Sequence, residues 1–151
     1  MNIDVRPATL ADEAAFLDLL EQLFDAPGAP APGYTRERGS NGFRWAIEGE
    51  HSDVLLALDG RSLVGLASVY RDLESIRYGR RTWLQDLVVD RAARGGGVGK
   101  ALLAAAADWA RERGCTHLAL SSGWNRKDAH RFYEREGMER AIYYELSSLG
   151  D

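Results

Sequence analysis

Residues 86–100 read Asp-Leu-Val-Val-Asp-Arg-Ala-Ala-Arg-Gly-Gly-Gly-Val-Gly-Lys. An apolar strand runs into a glycine turn that opens directly into a helix, so this stretch folds as one β-α unit with the turn at the strand's end. Glycine allows backbone N–H groups to approach an anion closely. The helix start adds unpaired N–H donors and the positive end of its dipole, and Arg94 and Lys100 add charge. The segment predicts a pyrophosphate site. Spacing narrows the possibilities. A Walker loop needs glycine five positions before the Gly-Lys pair and Ser or Thr after it, but Arg94 and Ala101 stand there. A dinucleotide fingerprint from Gly95 or from Gly97 needs glycine where Lys100 or Leu102 stands.

The remaining segments place this unit in a mixed α/β chain. Ile3, Val5 and Pro7 suggest a short first strand. Thr9 and Asp12 offer caps for a helix through Phe24, with Phe16, Leu19, Leu20 and Leu23 on one apolar face. Pro27, Pro30, Pro32 and Gly33 break it. A helical pattern over Thr35 to Glu48 is interrupted by Gly39 and Gly42. Asp53 to Leu58 and Leu63 to Tyr70 read as strands joined at Asp59-Gly60. Asp72 to Gly79 reads as a polar loop, and Thr82 to Val89 as the strand entering the glycine turn. Val98 to Arg113 is an Ala-rich helix closed by Gly114. His117 to Ser121 predicts a strand, Asp128 to Glu136 a helix closed by Gly137, and Met138 to Leu146 one last strand or two short ones. Hairpins come first and β-α-β units later, which implies a mixed central sheet flanked by helices. With 151 residues and no repeat or long linker, the expectation is a single domain spanning 1–151.

Composition excludes several classes. No apolar run approaches the roughly 20 residues of a membrane helix, and Met1 to Ala11 has no signal-peptide core. The single cysteine, Cys115, forms no internal pair and no zinc cluster, which suits a reducing cytoplasm. A net charge of -4 does not suggest nucleic acid. His51, His117 and His130 lack metal-ligand spacing, so no metal is expected, and Ser121-Ser122 has no nucleophile-elbow pattern.

Arg94 to Gly99 fits Arg-Gly-x-Gly-x-Gly, and this resembles the acyl-CoA loop of the GNAT acetyltransferase superfamily, Arg/Gln-x-x-Gly-x-Gly/Ala after a strand. Arg91 replaces a frequent proline of that family, and Ala93 a bulkier residue. Downstream, Asp128-Ala129-His130-Arg131-Phe132-Tyr133-Glu134-Arg135-Glu136-Gly137-Met138 resembles the family's Ala-x-x-x-Tyr-x-x-x-Gly-Phe helix, with Met138 for the aromatic. The likeness covers roughly residues 53 to 146 and extends only loosely to the N-terminal third. It implies a GNAT fold and direct transfer of acetyl from acetyl-CoA to an amine. Gln85 to Val89 together with Arg126 to Tyr133 looks closest to the aminoalkylphosphonate and small-amine acetyltransferase branch.

The resemblance also implies site residues. The glycine loop (Arg94, Gly95, Gly96, Gly97, Val98, Gly99 and Lys100) would hold the pyrophosphate. The strand Leu87-Val88-Val89 would offer backbone groups to the pantetheine arm, Leu87 and Val89 foremost, with an N–H polarising the acetyl carbonyl. Asn125 would touch CoA. Tyr133 would lie beside the CoA sulfur and protonate the leaving thiolate, or else pack against the sheet. A protonated amine cannot attack a thioester, so some group must take its proton. Asp86 is the candidate, placed by strand alternation on the face opposite Gln85 and Leu87. Its alternative is a carboxylate paired with arginine. Arg36, Arg38, Arg44, Arg77, Arg80 and Arg81 could hold an anionic tail on the acceptor, or be solvated surface arginines. Small members of the family often pair, and an edge strand at Ile142 to Leu146 predicts a homodimer. Two rivals remain: a non-catalytic acyl-CoA-binding module, and a protein lysine or N-terminal acetyltransferase.

Overall fold

The computed structural model describes residues 1–146 and Leu149. Five strands form one sheet in the order β1-β2-β3-β4-β5: β1 (Ile3–Pro7), β2 (Ser52–Asp59), β3 (Ser62–Ser75), β4 (Gly79–Val89) and β5 (His117–Ala119). The first four pair antiparallel and β5 joins β4 parallel, giving the mixed sheet expected of the fold. The helices are α1 (Glu13–Leu20), α2 (Arg36–Glu48), α3 (Val98–Glu112) and α4 (Lys127–Arg135). The chain divides into two compact units, Met1–Leu120 and Ser121–Asp151.

In the first unit both sheet faces are covered. Alternate residues Val54, Leu56, Leu66 and Val88 join Phe16, Leu17, Leu19, Phe43 and Ala46 of α1 and α2 in one buried cluster. Phe16 and Phe43 meet with centroids 4.7 Å apart. The opposite face lies under the buried stripe of α3, which includes Val98, Leu102, Ala106 and Trp109. Gly65 sets how closely α3 settles: a Cβ there would come within 2.7 Å of Val98 Cγ1 and 2.8 Å of Leu102 Cδ1. The start of α3 is thereby fixed against the sheet.

The β2–β3 hairpin turns through Gly60 and Arg61, with Asp59 opposite Ser62. Gly60 has φ +62 and Arg61 is not among the residues with positive φ, the pattern of a type II′ turn.

Several expected boundaries shift for physical reasons. The N-terminal helix begins as a short 3-10 turn, Leu10–Asp12, where Asp12 accepts from the Thr9 N–H at 2.8 Å and pairs with Arg6, and it ends as a second, Glu21–Phe24. The Arg6 hydrogen bond, ahead of the Thr9 bonds, holds the Asp12 carboxyl down at about 2. The polar stretch 72–79 is mostly ladder, not loop. Its charges pair across the hairpin, Arg81 with Asp72 at 2.7 Å and Arg80 with Glu74 at 2.8 Å. The tip closes where Ser75 Oγ accepts from the N–H groups of Arg77 and Tyr78. The final strand expected over Met138 to Leu146 is absent: residues 138–146 form neither strand nor helix. Helix α2 forms in full, capped by Thr35, whose hydroxyl accepts from the Arg38 N–H at 3.1 Å.

Candidate functional site

The glycine turn follows β4 and leads straight into α3. Gly95 and Gly97 have φ of +83 and +84, a conformation other residues adopt only under strain. A Cβ on either would meet nothing within 4 Å, so this backbone faces open space. Gly97 is the N-cap of α3, and the first helical bond runs from the Ala101 N–H to the Gly97 carbonyl at 3.0 Å. The N–H groups of Val98, Gly99 and Lys100 therefore have no acceptor within the helix. The Val98 side chain is buried, so only its backbone can serve a ligand here. Arg94, Gly96 and Lys100 are exposed around this opening. A diphosphate needs convergent N–H donors, a helix dipole and nearby cations, and all three are in place.

Beside it, among the described residues, β4 presents an unpaired edge beyond Trp83. Its pairing with β5 ends at Trp83 opposite Ala119. On the other side, the Asp90 N–H donates to the Val64 carbonyl at 2.9 Å. Antiparallel alternation then turns the backbone groups of Asp86 and Val88 toward β3 and those of Leu87 and Val89 toward the open edge. The Val88 side chain is part of the buried core.

Asp86 lies where β4 bulges. Ser68 pairs with Asp86 but Val69 pairs with Leu84, leaving Gln85 as the extra residue. Simple alternation fails here, and both Gln85 and Asp86 line one cavity, contrary to the expectation of opposite faces. The cavity has a volume of about 270 Å³. Its walls are mostly apolar: Phe16, Leu20, Leu23 and Phe24 from the N-terminal helical segment and Phe43 from α2. Ser68, Tyr70, Tyr34 and Arg38 supply polar groups. The Ser68 hydroxyl donates to Asp86 Oδ2 at 2.9 Å and accepts from the Asp86 N–H at 3.1 Å. Burial raises the Asp86 carboxyl above the usual range, against the pull of the Ser68 bond. Burial and then the Asp86 charge raise the Tyr70 hydroxyl. Among the described residues no arginine pairs with Asp86, so the structural ion pair weighed for it is not made.

Sequence reasoning missed Ser68, Tyr70 and Tyr34. The usable signal was in α2. Gly39 and Gly42 both line the cavity. A Cβ at Gly39 would strike the Tyr34 hydroxyl at 2.8 Å and Leu17 Cδ2 at 2.9 Å, whereas at Gly42 it would meet nothing within 4 Å. The two glycines that weaken the helix make room.

Of the six arginines considered for an acceptor anion, four are held by carboxylates: Arg36 by Asp18 and Glu21, Arg44 by Glu13, Arg80 by Glu74 and Arg81 by Asp72. Arg77 lies over the Tyr78 ring. Only Arg38 lines the cavity.

In the second unit, Asn125 is exposed in the turn before α4. Tyr133 is partly buried on α4, its ring centroid 5.3 Å from that of Phe132. Burial raises its hydroxyl, and the Arg126 charge opposes the rise. His130 Nε2 lies 2.8 Å from the Gly123 carbonyl, a local tie between α4 and the preceding turn. Among the described residues no cluster of His, Cys, Asp or Glu could hold a metal, and no helix is long and apolar enough to cross a membrane.

The model of the Acetyltransferase (GNAT) family matches residues 15–138. The chain is 52% identical over 59 residues to the uncharacterized N-acetyltransferase YhdJ of Bacillus subtilis, spanning 39% of this chain and 42% of that one. It is 29% identical over 144 residues to YhfO of the same organism, a second uncharacterized N-acetyltransferase, covering 91% and 90%. With the aminoalkylphosphonate N-acetyltransferase of Salmonella typhimurium it shares 37% over 88 residues, 58% of this chain and 57% of that one. The chain thus spans about half the length of the first and third of these relatives, and most of the second. In three dimensions it is similar to the aminoglycoside N-acetyltransferase AAC(6')-Iy in complex with CoA, with TM-score 0.80, 20% identity, and 97% and 96% of the two chains covered. The family match over 15–138 and the strand, glycine turn and helix lead to one conclusion: the chain belongs to the GNAT acetyltransferase family and is an acetyl-CoA-dependent acyltransferase.

Proposed function

We propose that this chain acetylates the primary amine of a small molecule held in the cavity beside β4, with aminoalkylphosphonates among the candidate acceptors. The observation that carries this reading is the partly buried Asp86 carboxyl in a cavity of about 270 Å³, next to the unpaired edge at Leu87 and Val89. A cavity of that size and apolar lining suits a small acceptor better than a protein surface.

Acetyl-CoA supplies an acetyl thioester as the electrophile. Arg94, Gly95, Gly96, Gly97, Val98, Gly99 and Lys100 bind its pyrophosphate through backbone N–H groups and charge. Leu87 and Val89 hold the pantetheine arm, and an N–H of this edge polarises the acetyl carbonyl. Asp86 takes the proton from the acceptor's ammonium. Its raised affinity for protons brings it closer to that task than an ordinary carboxylate. The amine nitrogen then bonds to the acetyl carbon as the carbon–sulfur bond breaks, the new amide nitrogen sheds its second proton to water, and Tyr133 regains from water the proton it gives up. Tyr133 gives its proton to the departing thiolate, and Asn125 binds CoA. Support for Tyr133 and Asn125 is their place in and before the motif from Ala129 to Gly137.

Both units serve one acyltransferase domain in this reading, supported by a family match that runs across residues 120 and 121. The chain works as a homodimer. Ile142, Tyr144 and Leu146 are 82%, 89% and 76% exposed in a segment that forms neither strand nor helix, and a second copy would cover these apolar side chains. A monomer mass in light scattering contradicts this. The free Cys115 fits the cytoplasm.

The decisive experiment is acetyl-CoA turnover against a panel of small amines that includes aminoalkylphosphonates and an unstructured lysine peptide. Turnover of small amines and not of the peptide supports the reading, and the reverse overturns it.

A further inference from the structure

The cavity carries two charges at different places on its wall, and its other lining side chains are aromatic, aliphatic, hydroxyl or, at Gln85, a carboxamide. Asp86, on the floor strand β4, is the anion. Arg38, in the first turns of α2, is the cation. Arg38 is exposed, so it stands toward the solvent side, whereas Asp86 is partly buried. One guanidinium N–H donates to the Pro32 carbonyl at 3.0 Å, which holds the head group in place. Among the described residues no carboxylate pairs with it, although neighbouring Arg36 is paired with both Asp18 and Glu21. A guanidinium presents five N–H donors in a planar fork suited to an oxyanion. Fixed at the wall of an apolar cavity with most donors unused, it is prepared to receive one.

We infer that Arg38 is a specificity residue: the acceptor is a small amine with an apolar body and an anionic group at the end remote from the nitrogen. This rests on the cavity being the acceptor site, and it adds which acceptors are chosen and by which side chain. The volume sets the scale. An apolar cavity of about 150 Å³ accommodates benzene, so 270 Å³ admits roughly ten non-hydrogen atoms. With the ammonium at Asp86 and the anion at Arg38, the molecule's dipole matches the cavity's. The apolar walls make the pair at partly buried Asp86 stronger than it would be in water, and the pair at exposed Arg38 is more screened. Because the two charged groups stand on different elements, β4 and α2, an acceptor that meets both carries its anion away from the nitrogen.

The test compares two probes of one shape, para-aminomethylbenzoate and its neutral counterpart para-aminomethylbenzamide. Calorimetry on the full chain saturated with CoA reads selectivity without turnover. Wild type is expected to bind the benzoate about tenfold or more tightly than the amide, with the ratio shrinking as salt rises. Arg38→Ala should bring the ratio close to one, and Arg38→Lys should restore part of it. A wild-type ratio near one, binding of neither probe, or a ratio that survives in Arg38→Ala overturns the inference. Equal weakening of both probes in Arg38→Ala leaves the ratio intact and so counts as survival. Turnover of the same probes with acetyl-CoA is scored separately. Binding with the expected ratio but no acetylation would remove the acyl-transfer reading of the cavity and leave the role of Arg38 standing.

Discussion

The glycine turn and the side-chain cavity sit at opposite ends of a contrast in how a site can be made. The turn is six consecutive residues, Arg94 to Gly99, offering backbone N–H groups, and Gly65 lets the helix it opens, α3, sit close on β3. The cavity is gathered from residues 16 to 86, through two helices, a proline-rich loop and three strands, and it acts through side chains. A backbone site tolerates few sequences and therefore keeps a recognisable pattern. A side-chain cavity can be re-lined without disturbing the sheet beneath it. One fold can in this way keep a common donor while changing the acceptor.

The contrast can be broken at either end. Gly97→Val forces φ +84 on a branched residue and puts methyl groups where the backbone is open. CoA affinity should fall by ~10²-fold, the loss expected when one or two charge-assisted hydrogen bonds are removed. Unchanged affinity in calorimetry removes the turn from the CoA site.

Tyr133→Phe keeps the ring and removes the hydroxyl. If Tyr133 protonates the thiolate, kcat should drop by about 10²-fold while CoA affinity holds. Wild-type kcat across pH reduces Tyr133 to a packing residue.

Gly42→Leu sharpens the comparison from the other side, because it fills space next to nothing but the cavity. KM for an accepted amine should rise by about tenfold, the scale of a group or two in an apolar pocket, with CoA affinity unchanged. Removing glycine from α2 should also stabilise the fold by roughly 0.5–1 kcal/mol. An unaltered KM would place the acceptor elsewhere.

The smallest effect is on stability. The Asp86 carboxyl has its proton affinity raised by burial, so the folded state binds that proton more tightly than the unfolded chain. The resulting cost to folding is full above the raised value and disappears as pH falls below the ordinary carboxylate range. Asp86→Asn should therefore raise the denaturant midpoint at neutral pH and lose that advantage in acid. A midpoint lowered at neutral pH would mean that the ionised carboxylate stabilises its own site.

The legible parts of the molecule were those written locally. The β2–β3 turn at Gly60 and the Ala-rich α3 both depend on neighbours in sequence, and so does the glycine turn. The stretch 72–79 was not legible, because Asp72 and Glu74 look like loop residues until Arg81 and Arg80 are set across from them. The face of Asp86 was hidden by a bulge at Gln85, which depends on the register of β3. Gly39 and Gly42 carried information about the cavity, but a single sequence gives it only as a weakened helix. Tyr70 and Ser68 reach the cavity as alternate residues of β3, a pattern that any half-buried strand shares.

The central claim is that Asp86, in this cavity, takes the proton from the amine that is acetylated. The most direct measurement is the pH profile of kcat/KM for an accepted amine in wild type and Asp86→Asn, with CoA affinity recorded alongside. In wild type the rate should rise with pH as Asp86 loses its proton, at a value above the ordinary carboxylate range. The variant should keep CoA affinity, lose that limb and stay slow throughout. A variant with the wild-type rate and the same rising limb would contradict the account.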